Sequence, residues 1–122
     1  MRPRGPLDAA DEVDGAALET LVFQEIRALN DYLETGYAIH YWRAATGLEV
    51  DFILYGERGL KAIEVKRTAQ LRGADFRSLA AFLEDFPMAQ AWMVHGGTRT
   101  YREGPIQVLP VEAFLTELPR LL

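Results

Sequence analysis

Cysteine is absent from this chain of 122 residues. That excludes a disulfide framework, a thiol nucleophile and any zinc or iron–sulfur site held by cysteines. Serine occurs once, as Ser78, inside an expected helix and without a nucleophile elbow, which argues against Ser–His–Asp hydrolysis. The only histidines, His40 and His95, lie far apart and form no HxxxH pair or zinc pattern. His40 reads as structural, while His95, beside Gly96-Gly97, has a site lip as an open alternative. No GxxxxGK[ST] pattern occurs, so the chain holds no P-loop ATPase module. No apolar run approaches the roughly 20 residues of a spanning helix, and no signal peptide is visible. The expectation is a cytoplasmic protein without a membrane partner. Lysine is scarce: Lys61 and Lys66 stand against eleven arginines.

What is present fits one globular domain. Apolar residues make up 49% and charged residues 25%, which disfavours disordered and fibrous classes. The formal net charge of −5 first argues against a nucleic-acid partner. Its distribution reverses that argument. Residues 1–34 hold eight acids and three arginines, whereas residues 35–122 hold ten acids and ten bases. The excess acidity therefore belongs to the N-terminal segment.

Residues 1–14, with two prolines and a glycine, read as a flexible leader or linker before a domain over 15–122. Asp14 is placed to cap a helix starting near Gly15. Leu18, Leu21, Val22, Ile26, Leu29 and Leu33 recur at helical steps and predict about five turns, ending before Gly36. Three strands follow, over Tyr37–Trp42, Leu48–Tyr55 and Leu60–Lys66. The last two are joined by the loop Gly56-Glu-Arg-Gly59, of hairpin length. A second helix spans about Ala74 to Phe86, stopped by Pro87. Ala91–Val94 is a buried strand, Ile106–Leu109 a further one with an edge position, and Pro110 opens a short final helix. The order is α-β-β-β-α-β-(β)-α, an α/β (α+β) class with a mixed sheet of four to five strands flanked by helices. Trp42 and Trp92 read as core residues, and Gly96-Gly-Thr-Arg99 as a turn.

The chemistry concentrates in Glu49–Lys66. Residues two apart on a strand share a face, so Glu64 and Lys66 point the same way. Folding the hairpin with Tyr55 opposite Leu60 brings Asp51 opposite Glu64 and Glu49 opposite Lys66. Two carboxylates roughly 5 Å apart at an effective dielectric of about 20 repel by on the order of 3 kcal/mol. Cross-strand like charges are normally avoided, so an ammonium, a shared proton or a divalent cation should compensate. Lys66 is placed to be the ammonium. Carboxylate oxygens suit Mg²⁺ or Mn²⁺, which activates water and neutralises charge on a phosphodiester. The plain alternative is a solvated, charge-alternating sheet face. Against it, Glu64 lies inside the apolar run Ala62-Ile63-x-Val65.

A strand Asp, about a dozen residues, then Glu-x-Lys on the next strand resembles the core motif of the PD-(D/E)XK nuclease superfamily. Gly15-x-x-x-Glu19, Tyr41-Trp-Arg43, Glu49-Val-Asp-Phe52 and Ala62-Ile-Glu-Val-Lys66, in that order, look like one uncharacterised domain. That domain stands at the C-terminus of certain prokaryotic AAA-type P-loop ATPases. The resemblance covers residues 15–122 and implies a restriction-endonuclease-like core. It implies Asp51 and Glu64 as metal ligands for Mg²⁺ or Mn²⁺, and Lys66 as the residue assisting the attacking water. It also implies another helix glutamate near the metal. Glu19 matches by motif. Glu25 matches by expected burial, lying about −20° from Leu18 on the apolar face, where a carboxylate needs a partner. Both stay open, as does a plain hydrogen-bonding role for Glu25 with Tyr41, Arg43 or backbone.

The resemblance thus implies a metal-dependent nuclease, with DNA as its partner. A catalytically silent module that binds nucleic acid or docks on an AAA-type ATPase is the second reading. A structural, oligomeric domain, such as a homodimer, is the third. Arg43, Arg67 and Arg72, with Arg77, Arg99 and Arg102, flank the site in sequence and are candidates for phosphate contacts, with scattered surface arginines as the alternative.

Overall fold

The computed structural model describes residues 10–122, with side chains from Gly15 onward. The leader expected over 1–14 lies outside the described residues as far as residue 9. From there the chain is helical: α1 spans Ala10–Tyr32, so it starts four residues ahead of the expected Asp14 cap. The strands are β1 (Ala38–Arg43), β2 (Glu49–Gly56) and β3 (Gly59–Lys66). A 3-10 turn over Gly73–Phe76 leads into α2 (Arg77–Asp85), together occupying the expected second helix. Then come β4 (Gln90–His95), β5 (Tyr101–Glu103), β6 (Ile106–Pro110) and α3 (Val111–Leu121). Three helices and a six-stranded mixed sheet make an α+β architecture.

The sheet order is β1-β2-β3-β4-β6-β5. The sheet has six strands, not the expected four to five, and β6 is not at an edge. Residues 101–103 are three in number and two are charged, too few to show alternation. They fold back through Gly104, which has φ 57°, and pair antiparallel with β6, covering its side. The hairpin register matches the expectation: Tyr55 pairs with Leu60 and Phe52 with Ile63. β3, β4 and β6 run parallel, so the loops after β3 and β4 emerge at one end of the sheet.

Each face of the sheet carries its own core. Val22 and Ile26 of α1 and Phe114 and Leu118 of α3 pack on Phe52, Leu54, Ile63, Trp92 and Val94. Leu79 and Phe82 of α2 pack on Val50, Ile53, Ala62 and Met93. Trp92 is buried as expected, and Trp42 sits half-buried with its ring edge-on to Phe82 at 5.4 Å. Helices on both faces let the parallel strands bury both sides.

A single side chain ties the end of α1 to the sheet. Asn30 Nδ2 donates to the Tyr37 carbonyl at 2.8 Å, and Asn30 Oδ1 accepts from Tyr37 N–H at 3.0 Å and Thr35 Oγ1 at 2.7 Å. Thr35 and Tyr37 are buried, so their groups have little water to fall back on. Asn30→Ala is expected to cost about 2 kcal/mol in urea unfolding. A change under about 0.5 kcal/mol, the usual surface range, would show that the clamp is redundant.

Candidate active site

Asp51 owes its direction to a bulge. Along β1 and β2, His40 pairs with Ile53 but Trp42 pairs with Val50, so β2 carries one extra residue at Asp51–Phe52. The faces agree: Val50 and Ile53 belong to the α2 side, Phe52 and Leu54 to the α1 and α3 side. The regular β2–β3 ladder stops at the Phe52–Ile63 pair. Beyond it, Val65 N–H donates to Asp51 Oδ2 at 2.8 Å. A carboxylate has taken the place of a strand carbonyl. The expected opposition of Asp51 to Glu64 and of Glu49 to Lys66 is therefore not a ladder pairing. Glu49 instead pairs with Arg43 of β1, in register and at 3.6 Å between charged atoms.

The acids still act on one another. Glu64 is only 4% exposed. Burial pushes its carboxyl up to about 8; Asp51, Glu19 and Asp75 push the same way, and Lys66 opposes them. Burial also raises the Asp51 carboxyl, against the Val65 hydrogen bond and Lys66, which favour its charge, and with Glu49 adding repulsion. Lys66 thus acts on both acids. Lys61, the other lysine, faces the opposite way on β3. It is buried, donates to Gln90 Oε1 at 3.0 Å, and lies over the Tyr37 and Trp92 rings at 5.6 and 6.0 Å.

Of the two helix glutamates, Glu19 joins the site and Glu25 does not. Glu19 lines the shallow cleft between α1 and β2 with Phe23 and Phe52. Burial and then Asp51 raise its carboxyl, although the residue as a whole is exposed. Glu25 is exposed, so the expected burial is wrong. The reason lies in the helix phase. The buried stripe centres on Val22 and Ile26, not on Leu18, and Leu21 is 42% exposed. At 100° per residue Glu19 lies about 40° from the middle of that stripe, and Glu25 about 80°.

Asp75 is a site acid that the sequence reading missed. It precedes α2, accepts from Arg72 N–H at 2.8 Å and adds to the repulsion at Glu64. Its Arg-x-x-Asp spacing at a helix start was the available signal, but that signal speaks for capping and not for chemistry. Arg43, Arg67 and Arg72 are all exposed around this end of the sheet. Arg43 is engaged with Glu49. His95 is 2% exposed, its Nδ1 accepts from Gly97 N–H at 2.9 Å, and its Nε2–H reaches the Arg99 carbonyl at 2.7 Å. His40 is exposed on β1.

A hollow of about 620 Å³ lies elsewhere, between the β1–β3 strands and the end of α2. Its lining holds Tyr41, Tyr55, Phe86 and Met88 and none of the four acids. Among the described residues, no three His, Asp or Glu side chains converge closely enough to hold a metal by themselves. Asp51 and Glu64 supply two carboxylates, and one Asp51 oxygen is committed to Val65 N–H. Among the described residues no helix is long and apolar enough to cross a membrane.

No curated protein and no solved structure matches the chain. One family model does, over residues 14–114, which spans α1 from residue 14 onward, the whole sheet and every acid of the site. The chain belongs to that family, a domain of unknown function (DUF4143).

Proposed function

We propose that this domain is a divalent-metal-dependent phosphodiesterase acting on nucleic acid, DNA in the first instance. One observation carries the reading: a buried glutamate and a bulge-directed aspartate share one end of the sheet with a lysine, at a cost the fold does not need. Burying like charges is unfavourable, and structures retain such clusters where chemistry uses them. The resemblance to the restriction-endonuclease-like core of PD-(D/E)XK nucleases supports the same reading.

The residues fit a hard cation. Asp51 and Glu64 would hold Mg²⁺ or Mn²⁺, with Glu19 at the rim; oxygen donors and a partial charge deficit suit such an ion. Bound there, the metal would supply a more acidic water and neutralise charge on the phosphodiester. Asp51 is oriented by Val65 N–H, so its carboxylate is directed before any ligand arrives. Lys66, whose charge acts on both acids, would stabilise a developing negative oxygen or orient water. The AAA-type ATPase partner belongs to this proposal through the resemblance alone.

Cleavage of single- and double-stranded DNA, with Mg²⁺, Mn²⁺ or EDTA, tests the reading. Metal-dependent cleavage that Lys66→Ala lowers about a hundredfold would support it. No cleavage of any DNA form with either metal would overturn it.

The silent-module reading has its own support in the lack of a three-residue metal cluster among the described residues. It predicts that the Asp51→Ala/Glu64→Ala double variant binds nucleic acid as the parent does, without either protein cleaving it.

A further inference from the structure

A second hollow, about 550 Å³, opens one strand away from the acids. Its walls are two loops, one following β3 (residues 67–72) and one following β4 (residues 96–100). Both leave the carboxyl ends of parallel strands, the usual ligand end of an open α/β sheet. Lys66 and His95 are register neighbours there, so the strand that carries Lys66 adjoins the His95 wall of the hollow.

The hollow is built, not incidental. Gly96 packs so close to the Arg67 carbonyl that a Cβ would come within 2.0 Å of its oxygen. Gly97 faces the Ala69 carbonyl, with 2.9 Å left for a Cβ. Gly96 N–H donates to the Thr68 carbonyl at 3.2 Å, joining the loops. Buried His95 then holds the second loop from inside, through Gly97 N–H and the Arg99 carbonyl. The device fixes the backbone of Arg99 and leaves its side chain at the surface, with Cζ 5.1 Å from the Tyr101 ring.

The lining chemistry selects a ligand class. In a chain of net charge −5, no Asp or Glu among the described residues lines this hollow, and the one cation among those that do is Arg99. Gln70 offers an amide, while Leu71 and the Tyr101 ring are apolar. Guanidinium and aromatic side by side match a nucleotide unit: a phosphate for the fork, a base or sugar for the ring.

We propose that the hollow between these loops binds a nucleotide unit of the strand flanking the cleaved phosphodiester, with Arg99 on its phosphate and His95 as the residue that positions Arg99. The location rests on the phosphodiesterase reading; the binding itself does not. Of the six arginines that flank the site in sequence, Arg99 is the one the fold holds in a prepared recess.

Binding of a short labelled single-stranded oligonucleotide to the full chain in EDTA, followed by fluorescence anisotropy across a salt series, tests this. Arg99→Ala should weaken binding about tenfold at low salt and reduce the salt slope by about one. Arg99→Lys should keep the slope and recover part of the affinity, and Arg120→Ala on α3 should change neither. A lost contact with Tyr101 alone would leave the salt slope unmoved. Parent-like binding by Arg99→Ala would overturn the inference, as would no binding by the parent. A mononucleotide that binds as tightly as the oligonucleotide would overturn the strand assignment. Arg99-dependent binding without cleavage would sink the phosphodiesterase reading alone, and cleavage without Arg99 dependence would sink this one alone.

Discussion

Glu64→Gln should abolish cleavage and, in the absence of metal, make the protein more stable at neutral pH. The two effects have one cause. Glu64 is buried among Asp51, Glu19 and Asp75, so the folded protein holds its proton far more tightly than the unfolded chain. A carboxyl raised from 4.5 to about 8 contributes stability that is fully present below pH 4.5. That contribution falls as pH rises, and the loss is complete once pH passes about 8. At pH 7 about 3 kcal/mol has gone. Glutamine has no proton to lose, so its stability should stay flat over this window apart from the remaining acids. The two unfolding curves should coincide near pH 4 and separate by about 3 kcal/mol at pH 7.

Function runs the other way. A metal held by Asp51 and Glu64 requires the carboxylate, and an amide offers one neutral oxygen. Losing several kcal/mol of metal-borne charge stabilisation is on the order of a thousandfold or more in rate. Mg²⁺ or Mn²⁺ should raise the melting temperature of the parent and leave that of Glu64→Gln unmoved. Coincident pH–stability curves for the two proteins would show that Glu64 is solvated and that the site has no stored cost. This trade of stability for function is common where an active site is built against the fold's preference.

Gly96→Ala should lower stability by about 3 kcal/mol, or roughly 10 °C in melting temperature. The added Cβ would stand 2.0 Å from the Arg67 carbonyl oxygen and 3.1 Å from its carbon. Both contacts are backbone, and Gly96 N–H is bonded to the same loop, so neither partner turns aside cheaply. Relief requires the β3 and β4 loops to part, which widens the Arg99 hollow. Oligonucleotide binding should fall with stability. Gly73→Ala is the matched control: a Cβ there meets nothing within 4 Å, and the effect should stay within about 0.5 kcal/mol. Equal melting temperatures for the two variants would mean that the loops are not locked.

Much of the site was legible in the residues because strand chemistry is local. Alternation placed Glu64 and Lys66 on one face, and the four-residue loop predicted the Tyr55–Leu60 register that the sheet adopts. What local rules could not supply was a count of one. The extra residue in β2 leaves no mark in hydrophobicity, yet it breaks the ladder and directs Asp51 onto Val65 N–H. Helix phase failed in the same way. Leu18, Leu21 and Leu29 are as apolar as Val22 and Ile26, so composition alone misjudged which side faces the sheet and set Glu25 on the buried face. Asp75 escaped because a capping acid and a site acid look alike in sequence.

The absences in the chain were decisive by themselves. Without cysteine, a P-loop or a histidine pair, the remaining chemistry had to come from carboxylates and the few lysines. Alternation already separates Lys61 from Lys66, which lie five residues apart on one strand. The folded sheet decides what each of them meets. An odd offset sends Lys61 into a recess with Gln90 and two aromatic rings, and Lys66 to the acids. Residue types determine which chemistry is available, because charge and donor atoms belong to the side chain. Which of them meet depends on strand offsets, helix phase and loop packing, because these decide which backbone positions share a face.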